Sequence, residues 1–86
     1  VSSIKRIVLD VLKPHQPQGI DFAKTLAELS VGYQVIYAVD EVDEKTESVI
    51  IEIKGDNIDL DPIKDAIHAM GGSLHSVDEI EIHNSL

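Results

Sequence analysis

Sixteen Asp and Glu residues stand against seven Lys and Arg in this 86-residue chain, and the acids crowd its middle. Asp40, Glu41, Asp43, Glu44, Glu47, Glu52, Asp56, Asp59, Asp61 and Asp65 share that stretch with only three lysines. Hard cations take several oxygen ligands, so Glu41 and Asp43, close to a polar turn, form one candidate metal site. The plainer reading of the same residues is a solvated charged turn. A second candidate joins the two ends of the chain: Asp10 near the start, with His75, Asp78 and Glu79 near the end. Carboxylates beside an imidazole can hold a cation or a proton. Against this, His75 and the acids could satisfy one another or face water. Asn57-Ile58-Asp59-Leu60-Asp61-Pro62 begins like a calcium-binding helix–loop–helix. It fails that pattern, because Pro62 takes the place of the turn glycine and His68 that of the bidentate Glu.

Other chemistries are more firmly excluded. The chain has no cysteine, hence no disulfide, thiolate zinc site or cysteine nucleophile. His75-Ser76 places two catalytic residue types side by side, but Ser76 sits in no nucleophile-elbow pattern. Gly19, Gly32 and Gly55 are isolated, so no phosphate loop or dinucleotide fingerprint exists. Apart from the adjacent Lys5 and Arg6, the basic residues are scattered singly along the sequence, and the net charge is −9. Nucleic acid and anionic membrane are therefore poor partners. No apolar run reaches membrane-spanning length, and the opening Val1-Ser2-Ser3-Ile4-Lys5-Arg6 does not read as a secretory signal, so the cytoplasm is expected.

The elements that must position these residues follow from periodicity. Ile4 to Leu12 is rich in β-branched residues, as a central strand should be. Pro14 and Pro17 end it; they also spell P-x-x-P, better read as a rigid connector than as a ligand for proline-binding modules. Phe22, Ala23, Leu26 and Leu29 have helical spacing and predict a helix over Asp21 to Ser30. A second strand is expected from Tyr33 to Val42, with Tyr33, Val35, Tyr37 and Val39 on one face. After the turn Asp43-Glu44-Lys45-Thr46, Val49 to Lys54 completes a hairpin. Asp61 as cap and Pro62 as first residue open a second helix, whose stripe is Ile63, Ala66, Ile67 and Met70. Gly71-Gly72 ends it, and Leu74 to Ile82 is the last strand.

The order β-α-β-β-α-β predicts one α+β domain over residues 1–86, a ferredoxin-like two-layer sandwich with antiparallel strand order 4-1-3-2. Two helices cover one face of such a sheet. If Ile7, Leu9 and Val11 meet them, Arg6, Val8, Asp10 and Leu12 point away, with Ile36, Ala38, Asp40, Ile50, Glu52 and Lys54. That face mixes aliphatics with charge, and a subunit interface is the expectation. In the last strand, plain alternation puts Asp78 beside Leu74 and Ile80, unless a bulge near Asp78-Glu79 re-aims it.

The blocks Arg6-Ile7-Val8-Leu9-Asp10-Val11-Leu12-Lys13-Pro14-His15, Glu41-Val42-Asp43 with Thr46-Glu47, and Gly71-Gly72 with His75-Ser76-Val77-Asp78-Glu79 resemble the archaeal domain of unknown function 211. The resemblance runs from Arg6 to about Glu79. It implies the same ferredoxin-like fold, ring-like homo-oligomers and calcium binding, and it brings no established reaction. Family members continue past the Asp-Glu pair through Val-Val-Ala-Gly, where this chain reads Ile80-Glu81-Ile82-His83. Ser30-Val31-Gly32-Tyr33-Gln34 also departs from the family's Gly-Val form, so the start of the second strand is open. The expected function is a non-enzymatic homo-oligomeric domain that binds a divalent cation such as calcium, with no organic cofactor. The alternative is a regulatory module holding a small molecule between subunits.

Overall fold

The computed structural model describes residues 1–86. Its elements run β1 (Ser2–Pro14), α1 (Gly19–Ala27), β2 (Gln34–Val42), β3 (Thr46–Lys54), α2 (Leu60–Ala69) and β4 (Ser73–Asn84). The strands form one antiparallel sheet in the order β2-β3-β1-β4, which is the expected order counted from the other edge. This is the ferredoxin-like α+β fold.

The register sorts side chains into cross-strand rows. Three rows face the helices: Val35-Ile53-Ile7-Ile80, Tyr37-Ile51-Leu9-Val77, and Val39-Val49-Val11-Leu74. Every member is apolar or aromatic, and β1 and β3 at the centre supply the residues sealed from solvent. Phe22 and Leu26 of α1 and Ile63 and Ile67 of α2 close this layer from above, all at 1% exposure or less. The edge strands pay less attention to the core: Val39 and Ile80 remain more than half exposed.

Several boundaries differ from expectation. β1, β3 and β4 each run past their apolar residues, because a strand continues wherever a neighbour offers a ladder of N–H and C=O groups, whatever the side chains. β2 starts at Gln34; Tyr33 precedes it and uses its hydroxyl to accept the Asp59 N–H at 3.0 Å. α1 spans Gly19–Ala27 rather than Asp21 to Ser30, and Leu29 lies beyond its end, 38% exposed. α2 is capped by Asp59 and not by Asp61: Asp59 Oδ1 accepts the Asp61 N–H at 3.3 Å. Pro62 then falls inside the first turn, where its missing N–H is an orphan in any case. Gly71 ends α2 in the left-handed region at φ +86°.

Candidate functional site

The sheet face without helices carries its own four rows. In order they are Gln34-Lys54-Arg6-Glu81, Ile36-Glu52-Val8-Glu79, Ala38-Ile50-Asp10-Ser76, and Glu41-Ser48-Leu12-Ser73. Ile36, Ala38, Ile50, Val8 and Leu12 adjoin one another directly or diagonally, so they form one aliphatic patch bordered by charge. Ile36 is 55% and Leu12 42% exposed, whereas Ile50 is half-buried and Val8 buried. Asp40 departs from the expected placement. It is the extra residue of a β2 bulge between Val39 and Glu41, so Glu41 takes the outward position in its stead.

β4 carries two such irregularities. Asp10 pairs with Ser76 while Val11 pairs with Leu74, which leaves His75 extra; Val8 pairs with Glu79 and Leu9 with Val77, which leaves Asp78 extra. Plain alternation therefore fails in β4: the bulge at Asp78, named above as its exception, is present, together with a second at His75. Leu74, Val77 and Ile80 reach the helix side at a spacing of three, and Ser73, Ser76, Glu79 and Glu81 the open side. Asp78 accepts the Ser76 hydroxyl at 2.6 Å. Glu79 is ion-paired to Arg6 Nη1 at 3.0 Å, and Glu52 holds the same guanidinium through Nε. The two carboxylates raise the Arg6 pKa, Glu52 more than Glu79.

Of the candidate ligands, Asp10 is half-buried on the open face, and His75, Asp78 and Glu79 are exposed. Glu41 stands opposite Ser48 at the far end of that face, and Asp43 closes the turn by donating its N–H to the Thr46 carbonyl at 2.8 Å. Within one copy the fold gathers no group of three or more His, Asp or Glu side chains that could hold a metal ion.

A polar network around the buried Lys13 lies past the last apolar row. Lys13, 1% exposed, donates to Glu47 Oε1 at 3.3 Å and to the Pro14 carbonyl at 2.7 Å, with its ammonium 5.6 Å from the Phe22 ring centroid. His15 reaches Glu47 Oε2 through Nδ1 at 3.1 Å and the Glu44 carbonyl through Nε2 at 3.0 Å. Glu47 raises the His15 pKa, helped by that carbonyl, and His15 in turn lowers that of Glu47.

Comparison with known proteins adds kinship. The family model described as "Uncharacterized ArCR", domain of unknown function 211, matches residues 5–86. The chain belongs to this archaeal family. An uncharacterized protein of Methanocaldococcus jannaschii is 45% identical over 80 residues, spanning 93% of this chain and 82% of the relative. The family's description names no activity, so the chemistry of this domain of unknown function 211 must be argued from its own geometry. No helix in it is long and apolar enough to cross a membrane.

Sequence reasoning missed two features of this family member. The Lys13 network was accessible in principle: inward positions Ile7, Leu9 and Val11 continue by alternation to Lys13. Its partner was not, because Glu47 is selected by the β1–β3 register. Likewise Lys54, far along the chain from the adjacent Lys5 and Arg6, meets them at one end of the sheet.

Proposed function

We propose that this domain is a non-enzymatic module that self-associates through the open face of its sheet. The observation that carries the proposal is the aliphatic patch of Leu12, Ile36, Ala38 and Ile50, set around the already buried Val8, which neither helix covers. Hiding such a patch against a second copy gains roughly 25 cal/mol for each Å² of apolar area removed from water. A core of only eleven buried hydrophobic residues makes that gain worth having. Charged residues bordering the patch (Glu52, Asp10, Glu79) favour one registration of the two copies over others.

Sedimentation at micromolar concentration should then report a mass above the 9.4 kDa of one chain. Ile50→Lys should lower that mass while leaving the far-ultraviolet circular dichroism unchanged. A wild-type protein that sediments as a monomer at every concentration removes the proposal.

A divalent cation belongs to the same proposal as a ligand completed between copies, since one copy gathers too few carboxylates. Asp10 and Asp78 are its anchors, linked through Ser76, which pairs with the first and donates to the second. Calcium should raise the melting temperature of the assembled protein, and Asp78→Asn should remove most of the rise. Magnesium, which sheds water reluctantly, should do less. A melting curve indifferent to millimolar calcium would leave these acids as structural polar groups.

A further inference from the structure

We infer that the end of the sheet bearing Lys5, Arg6 and Lys54 is a binding site for a small oxyanion, a phosphate group above all. These three are among only seven basic residues in a chain of net charge −9, yet they line one cavity of ≈ 730 Å³. That volume lies within the ordinary range for small-molecule sites. No hydrophobic side chain lines it.

The backbone works to bring them together. Arg6 and Lys54 are direct register partners on adjacent strands, an arrangement of like charges that costs stability unless an anion offsets it. Glu52 and Glu79 already compensate Arg6, whereas neither Lys5 nor Lys54 takes part in an ion pair. Consecutive strand residues normally point to opposite faces. Here β1 bulges between Ile4 and Arg6, so Lys5 and Arg6 line the same cavity. Lys5 is also tethered: its Nζ donates to the Asp56 carbonyl at 2.8 Å, and its own carbonyl accepts the Gly55 N–H at 3.0 Å. Gly55 itself must stay without a side chain, for a Cβ there would meet the Tyr33 ring at 3.0 Å.

The remaining charges define the ligand's size. Asp56 and Glu81 also line the cavity, and Glu81 is engaged by His83 Nε2 at 2.6 Å. They repel a polyanion, so the two ammonium groups would favour a single small oxyanion. A hydroxyl on the ligand would find an acceptor in either carboxylate. The site lies within a single copy and does not depend on self-association.

Titration of the ¹⁵N-labelled protein with inorganic phosphate, at ionic strength held constant with chloride, tests this directly. Amides of Gly32, Gln34 and Gly55 should shift and saturate. Lys54→Ala and Lys5→Ala should each weaken binding about tenfold, and Lys64→Ala, on the exposed face of α2, should leave it unchanged. Lys54 is exposed, so its loss spares the fold. Shifts that are absent, that never saturate, or that survive Lys54→Ala overturn the inference.

Discussion

Glu47 shows how one carboxylate can organise several donors. Lys13, His15 and the Tyr37 hydroxyl all turn toward it. Burial, reinforced by Glu47, pushes the Tyr37 phenol up to about 12. Both nitrogens of His15 face acceptors, one a carboxylate and one a carbonyl, so only the imidazolium satisfies both. Its raised pKa means that the folded chain keeps a proton which the unfolded chain loses near the ordinary value of 6.5. The resulting stabilisation is complete below that pH and disappears as pH climbs through the raised folded value. Glu47 is lowered from its ordinary 4.5, so its share is present above that pH and is lost on acidification through the lowered value. The stability of wild type minus that of His15→Gln should therefore be largest between about 4.5 and 6.5 and shrink on either side. Urea melts across pH supply the comparison. A difference that does not change above neutrality would show that His15 is not held as the cation.

At the scale of the element, caps and bulges decide where the ordered pieces begin and which way their side chains point. Asp59 and Asp61 look equally suited to cap α2, but only Asp59 has the extended backbone and accepts an N–H of the first turn. Asp59→Ala should cost about 1 kcal/mol, and Asp61→Ala much less. Thermal melts of the two variants would expose a wrong assignment by reversing that order. In β4, apolar residues at positions 74, 77 and 80 would fit one side of a helix as well as a strand. Two inserted residues, His75 and Asp78, make that spacing compatible with a sheet. Acids and a histidine at bulges are consistent with sheets protecting an edge, since a bulged, charged edge is a poor template for unwanted pairing.

The whole molecule measures 49 × 22 × 18 Å, long for its size, because the β1–β4 ladder outruns the rest of the sheet. β3 accompanies β1 only as far as Arg6, while β4 continues to Ser2. Ser2, Ser3, His83 and Asn84 consequently sit in a two-stranded extension with no helix above them. Isolated two-stranded ladders are marginal in water. Hydrogen exchange should therefore be slowest at Ile7, Leu9 and Ile51 and faster by orders of magnitude in the extension. Comparable protection at both places would mean that something further covers the extension, and a second copy is the first thing to test by repeating the measurement on Ile50→Lys.

Chain order, element types and the inward set Ile7, Leu9, Val11, Phe22, Leu26, Ile63 and Ile67 were legible in the sequence, because periodicity and turn residues are local signals. The strand order followed from handedness and connection length. Register was not legible. It depends on where two strands distant in sequence come to rest, and bulges at Lys5, Asp40, His75 and Asp78 shift it residue by residue. Hence the sequence could name Asp10, Asp78 and Glu79 as chemically able without revealing that Ser76 stands opposite Asp10 and that Arg6 holds Glu79. For the same reason, the sequence concealed the meeting of Lys54 with Lys5 and Arg6. Short-range physics chose the pieces; long-range pairing, which no local pattern encodes, chose which charges face one another.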